Sequence, residues 1–238
     1  MTRELVYGRN AVREALRGRR DVIELWVSER VAGTLEWLAE GPRPQVVKER
    51  TLTEAAGTAD HQGVLAWAAP YPYADPWELA AVDKPLLACL DQVTDPRNLG
   101  AVIRSAAGAG ATGVIVPAHG AAQVTPAVCR SSAGTVEHLP VAVVPNLARY
   151  LAEIKRDDLW SYAAVAAAPQ TMWQADLTGG VALVFGAEGK GVRPLVRKTC
   201  DAAVSIPLAP GVESHNVSVA AAVLLYEARR QRHGSAKG

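Results

Sequence analysis

The sequence is poor in sulfur and in aromatic rings. Its 238 residues include three cysteines, two methionines and one phenylalanine, and aromatic residues make up 5%. Cys89, Cys129 and Cys200 are an odd number, far apart and without a CxxC pair. That excludes a disulfide-built scaffold and a zinc ribbon, and it suits a reducing cytosol, so a cytoplasmic protein is expected. No apolar run approaches the roughly 20 residues that cross a bilayer. The start, Met1-Thr2-Arg3-Glu4, holds no apolar signal segment, so no membrane partner is expected. Net charge is also scarce: 25 Lys and Arg stand against 24 Asp and Glu, leaving +1. This excludes a charge-coated nucleic-acid binder while leaving room for a local basic patch. An apolar fraction of 49% with so little net charge excludes intrinsic disorder. The length allows one large domain or two small ones.

The texture changes near residue 70. Pro70-Tyr71-Pro72-Tyr73-Ala74-Asp75-Pro76 places three prolines in seven residues, which reads as a linker. Before it lies a small α/β module: a helix over Asn10–Arg17, a strand over Val22–Val27, a second helix around Leu35–Leu38, and strands at Gln45–Val47 and Gly63–Trp67. After it, apolar runs at 86–90, 114–116, 141–144, 159–165, 181–185 and 202–206 alternate with helix-like stretches at 99–109, 125–132, 147–155 and 217–230. Continuous apolar strands alternating with helices predict a mostly parallel sheet covered on both faces. The expected organisation is an N-terminal domain over 1–69, a linker over 70–84 and a second α/β domain over 85–238.

Some familiar signatures fail on context. Gly108-Ala-Gly110-Ala-Thr-Gly113 fits GxGxxG, yet a helix precedes it and a strand follows, the reverse of a dinucleotide fingerprint. A glycine-rich helix C-terminus explains it better, which disfavours an oxidoreductase. Gly189-Lys190-Gly191 lacks the Ser or Thr of a P-loop, and no GxSxG elbow occurs. No His, Cys, Asp or Glu cluster has metal-ligand spacing, so no metal is expected.

Three polar segments follow apolar strands, where a sheet of this type places its site. The first is Asp95-Pro96-Arg97-Asn98-Leu99-Gly100 with Arg104, in which Asn98 is expected to cap the following helix. The second is Phe185-Gly186-Ala187-Glu188-Gly189, whose glycines admit a ligand close to the backbone. The third is Ile206-Pro207-Leu208 leading to Ser214-His215-Asn216-Val217-Ser218-Val219-Ala220. Taken singly, each is explained equally well as a cap, a solvated helix face or a turn.

Together, in this order and spacing, these segments resemble the three signature motifs of the SpoU branch of SPOUT RNA methyltransferases. Tyr7-Gly8-Arg9-Asn10-Ala11-Val12, His61-Gln62-Gly63-Val64, Glu137-His138-Leu139-Pro140 and Asn146-Leu147-Ala148 resemble the 23S rRNA guanosine-2′-O-methyltransferase subgroup. The resemblance implies a small N-terminal, L30e-like α/β RNA-binding domain. It also implies a C-terminal SPOUT α/β domain with a mostly parallel sheet and a trefoil knot, working as a homodimer. The implied activity is methyl transfer from S-adenosyl-L-methionine to a ribose 2′-hydroxyl of RNA, with 23S rRNA and guanosine favoured. A tRNA 2′-O-methyltransferase, an rRNA-methylating antibiotic-resistance enzyme and an inactive RNA-binding assembly factor are the alternatives.

Carried over by position, Arg104 is the implied catalytic arginine. Asn98, Glu188, Ser214 and Asn216 are the implied polar site residues, with Asn98 and Glu188 positioning Arg104 and the ribose. Gly186, Ile206, Leu208 and His215 are implied to hold the cofactor together with Ser214 and Asn216. The family usually has Leu where this chain has His215. RNA is also expected to meet two basic stretches. Residues 1–20 hold Arg3, Arg9, Arg13, Arg17, Arg19 and Arg20 against two glutamates, and residues 227–238 hold Arg229, Arg230, Arg232 and Lys237 against one.

Overall fold

A computed structural model describes residues 2–235; Lys237 of the expected basic tail lies outside them. In chain order the first half contains β1 (Glu4–Tyr7), α1 (Arg9–Arg17), β2 (Val22–Ser28), β3 (Gln45–Val47), α2 (Glu49–Ala56), β4 (Val64–Ala68), α3 (Pro76–Ala81), β5 (Leu86–Asp91), α4 (Pro96–Ala109) and β6 (Gly113–Pro117). The second half contains α5 (Pro126–Ser131), β7 (Val141–Val144), α6 (Leu147–Glu153), β8 (Leu159–Ala164), β9 (Gln170–Thr171), β10 (Gly180–Gly186), α7 (Pro194–Thr199), β11 (Ala202–Ser205) and α8 (Val217–Ser235). The chain divides into two compact units. One takes the chain through Pro72 together with Val124–His138, and the other takes Tyr73–Gln123 and the chain from Leu139 on. Residues 124–138 therefore group with the N-terminal module instead of continuing the domain expected over 85–238.

The first unit is built on a four-stranded sheet in the order β1-β4-β2-β3. Strands β1 and β2 run antiparallel to β4, while β3 runs parallel to β2. Its core is aliphatic: Val6, Val12, Leu25, Leu52, Val64 and Leu65 are all fully buried. Leu35–Leu38, expected to be helical, falls instead on a 3-10 turn, Glu36–Glu40. Helix α2 shows no helical period in the sequence because it buries only Leu52, too few apolar positions to set one. In the His61-Gln62-Gly63 turn, His61 Nδ1 accepts the Gly63 N–H at 3.0 Å. A neutral ring then carries its proton on Nε2, which faces Thr53 Oγ1 at 3.0 Å.

One buried ion pair organises this unit. Arg20 donates from Nε to Glu137 Oε2 at 3.0 Å, from Nη2 to Glu137 Oε1, and from Nη1 to Glu4 Oε2 at 3.1 Å. The Arg20 and Glu137 side chains are each 1% exposed. Burial opposes the guanidinium's charge, but the Glu137 hydrogen bonds outweigh it, and Arg20 titrates above the ordinary arginine range. Gly134 lies so close by that a Cβ there would meet Glu14 Cβ at 2.6 Å, and its φ of +84° suits glycine.

The structure shows how the arginines of the basic stretches are partnered. Arg3 pairs with Glu24, Arg13 with Glu14, Arg17 with Glu40 and Arg20 with Glu137, which leaves Arg9 and Arg19 without a carboxylate partner among the described residues. Near the C-terminus, Arg230 pairs with Glu227. Arg232 is spent on the backbone carbonyls of Lys84, Pro85, Leu177 and Gly179.

The second unit carries a seven-stranded sheet in the order β7-β6-β5-β10-β8-β11-β9, and every pairing is parallel. Strands buried on both faces need no alternation; all six residues of β5 are buried. The chain's one phenylalanine, Phe185, is 1% exposed in β10, and its burial contributes about 2–3 kcal/mol. Helices α4 and α8 pack together, and Gly108 permits it: a Cβ there would meet the Tyr226 hydroxyl at 2.7 Å. Gly110, at φ +77°, ends α4, so the GxGxxG string is a helix C-terminus as expected. The stretch 70–84, expected to be a linker, contains α3. Pro76 sits at the start of that helix, where a missing N–H costs nothing, and Asp75 Oδ1 accepts the Trp77 N–H at 2.8 Å. No helix among the described residues is long and apolar enough to cross a membrane.

Candidate active site

Strands β5 and β10 are neighbours, and their last residues, Asp91 and Gly186, lie in register. After β5 the chain moves to β6 on one side, and after β10 it moves to β11 on the other. Sheets of this kind bind ligands beyond the carboxyl ends of strands at such a switch point.

The predicted polar residues converge there. Asn98 does not cap α4, as expected from sequence. Asp95 does, accepting the Arg97 N–H at 2.8 Å, with Pro96 in the first turn. A proline early in the helix and a better-placed carboxylate outcompete asparagine for the cap. Asn98 thus lies within the first turn with its side chain released from capping. Its Nδ2 donates to Glu188 Oε1 at 2.8 Å. Asn216 Nδ2 donates to the same oxygen at 2.5 Å and to Asn98 Oδ1 at 3.2 Å. Asn216 Oδ1 in turn accepts from Ser218 N–H and Oγ at 2.8 and 2.6 Å, fixing the first turn of α8. Three residues separated by 90 and 28 positions in the chain close one hydrogen-bonded cluster.

Beside the cluster is a cavity of about 400 Å³. Gly186, Ile206, Leu208, Ser214 and His215 line it, as does Glu188. Phe185, named within the second segment, lines it too; sequence reasoning missed Val165, Val204, Lys190 and Arg197, which also line it. Lys190 and Arg197 are exposed cations with no ion pair among the described residues; only their place after β10 and in α7 brings them here. Gly186 is obligatory: a Cβ built on it would fall inside the backbone of Gly191 and Val192, because the loop folds directly back over the strand end.

Arg104 stands apart from this cluster. Six residues after Asn98 on α4, it lies about 120° around the helix from it, and it does not line the cavity. It is exposed and pairs with no described carboxylate. Arg97, also exposed and unpaired, lies seven residues before it, within about 20° on the same face and about 10 Å along the axis. The two make a cationic stripe on α4. The cysteines offer no nucleophile. Burial pushes the Cys200 thiol up to about 12 and raises Cys89 as well, so neither forms a thiolate near neutral pH.

A parallel sheet with a polar cluster at its switch point and a glycine-lined apolar cavity defines a cofactor-using α/β enzyme. The chain belongs to the SpoU rRNA methylase family, which matches residues 85–226, and residues 5–74 match the RNA 2′-O ribose methyltransferase substrate-binding family. It is 40% identical over 243 residues to the 23S rRNA (guanosine-2′-O-)-methyltransferase RlmB of Pseudomonas putida, covering 96% of this chain and 97% of that protein. It is 39% identical to an uncharacterized tRNA/rRNA methyltransferase of Synechocystis, with 96% of this chain matching 63% of that longer protein. Among solved structures, the SpoU methyltransferase AviRb of Streptomyces viridochromogenes in complex with AdoMet superposes with a TM-score of 0.85 at 27% identity, covering 98% of this chain and 91% of that one.

Proposed function

We propose that this protein transfers a methyl group from S-adenosyl-L-methionine to a ribose 2′-hydroxyl of 23S rRNA, with guanosine as the favoured nucleoside. The observation that carries the reading is the Asn98–Glu188–Asn216 cluster, which adjoins the cavity through Glu188. The cavity suits that cofactor. Its floor is backbone at Gly186 and Gly191, its walls are apolar at Phe185, Val165, Val204 and Val217, and its cations Lys190 and Arg197 suit a carboxylate. Bound there, the cofactor supplies an electrophilic methyl on sulfonium sulfur.

The chain's own residues then have three tasks. Gly186, Ile206 and Leu208 offer backbone groups to an adenosine, while Ser214, His215 and Asn216 close over it. Glu188, held by Asn98 and Asn216, orients the ribose. Arg104 meets the target phosphate and the 2′-oxygen, and Arg97 adds a second phosphate contact on the same helix face. For the 2′-oxygen to accept a methyl group, its hydroxyl proton must leave. A guanidinium keeps its own protons, so Arg104 stabilises the developing alkoxide and the proton passes to a phosphate oxygen or water. The same reading includes cytoplasmic location, the family's trefoil knot and a homodimer. Val219 and Tyr226, 45% and 50% exposed on α8, supply apolar surface for a second copy.

The test is incubation with radiolabelled cofactor and either 23S rRNA or tRNA, followed by mapping of 2′-O-methyl groups. The expected result is one guanosine in 23S rRNA; label confined to tRNA, or no label at all, overturns the proposal. A second measurement concerns His215, which is exposed at the cavity rim. His215→Leu is expected to leave cofactor affinity unchanged or tighter in calorimetry, because a backbone contact survives the change. A loss of about tenfold, about 1.4 kcal/mol, would show that the imidazole itself binds.

A further inference from the structure

The most deeply buried charge at the site is one the proposed reaction leaves idle. Asp91, the last residue of β5, is 0% exposed. A single residue takes both of its oxygens: Oδ2 accepts the Arg193 N–H at 2.8 Å, Oδ1 accepts Nε–H at 2.8 Å, and Nη2 stands 2.7 Å from Oδ1 in an ion-pair contact. The Arg193 side chain is 44% exposed, so the pair joins a buried strand end to the surface.

The segment it spans is the one that carries Glu188. Gly186 lies in register with Asp91. The loop then turns at 187–191, closed by the Gly191 N–H on Ala187 O at 2.8 Å, and returns through Val192 to Arg193. Glu188, Gly189 and Lys190 are exposed, and a Cβ on Gly189 or Gly191 would meet nothing within 4 Å. A loop so thinly packed takes its position from its two stems. One stem is β10, and the other is the Arg193–Asp91 clamp. A backbone N–H on one carboxylate oxygen and the charged Nε–H on the other, with Nη2 beside it, restrict direction as well as distance.

We propose that Asp91 and Arg193 are positioning residues for methyl transfer: their clamp holds the loop so that Glu188 Oε1 meets Asn98 and Asn216. What the clamp serves rests on the reading under the preceding heading. Lysine cannot replace arginine here, since it offers a point charge without the fork.

The test measures kcat, KM for RNA, cofactor affinity by calorimetry and Tm. The variants are Arg193→Lys and Arg193→Ala, each alone and with Glu188→Ala. A misplaced site costs up to about 100-fold. Arg193→Ala is therefore expected to lower kcat about 30-fold and cofactor affinity about tenfold, at a temperature well below Tm. Arg193→Lys is expected to keep Tm and still lose most of the kcat. In the Glu188→Ala background, Arg193→Ala is expected to cost less than about threefold, because the clamp acts through Glu188. Equal losses in both backgrounds, or wild-type kcat and cofactor affinity in Arg193→Lys, overturn the proposal. Should the wild type methylate no RNA, the functional reading falls. The cofactor-affinity cycle then decides the clamp by itself: non-additive losses support it and additive losses overturn it.

Discussion

Arg104→Ala is expected to lower kcat for methyl transfer by about 1,000-fold while cofactor affinity and Tm stay at their wild-type values. The size follows from the task. Removing one preorganised donor from a developing oxyanion costs about 100- to 1,000-fold, and Arg104 is proposed to serve phosphate and alkoxide together. The selectivity follows from the geometry. Arg104 is exposed, pairs with no described carboxylate and stands outside the cavity, so its loss removes nothing from fold or cofactor. Alanine is a better helix former than arginine, which protects α4. Single-turnover methylation, with calorimetry on the same preparation, checks this. Turnover within about tenfold of wild type would remove Arg104 from the reaction. The companion variant Arg97→Ala should weaken RNA binding with little effect on kcat at saturation, and it should flatten the salt dependence of binding by about one phosphate contact.

Glu137→Ala is expected to destabilise the first unit by about 3–5 kcal/mol, the cost of leaving a buried charge without its partner. Arg20 is 1% exposed and would keep, besides a weak bond to Cys129 Sγ, only Glu4 as a carboxylate partner, whose side chain is 40% exposed and better solvated. For a unit of this size each kcal/mol lowers Tm by about 4–8 °C, so a calorimetric transition assigned to that unit should fall by more than about 12 °C. Cys129 lies in the same buried surroundings, where burial pushes its thiol up to about 12 despite the adjacent Arg20. The control is the paired replacement Arg20→Met with Glu137→Leu, which removes both charges and should recover most of the loss. A Glu137→Ala change below about 1 kcal/mol would mean that water reaches Arg20.

The sequence alone determined the parts that depend on local pattern. Unalternated apolar runs announced parallel strands because a strand buried on both faces has no polar side to show. The order helix, glycine, strand ruled out a dinucleotide fingerprint because the dipole would face the wrong way. The three polar segments were legible as a family signature. What they do to one another was not. Asn98 read as a cap because a lone asparagine before an apolar run usually is one; only the fold brings Glu188 and Asn216, far along the chain, within hydrogen-bond reach of it. Arg104 read as Asn98's neighbour, yet six residues of helix turn it away. The arginine-rich start read as an open patch, but four of its six arginines find carboxylates, and one of those is buried. Charge counts are additive along a sequence, whereas pairing depends on distance in space. The Asp91–Arg193 clamp and the grouping of 124–138 with the first unit belong to the same category. Each is a contact between segments with no shared periodicity, decided only when the tertiary structure sets which strand ends are neighbours.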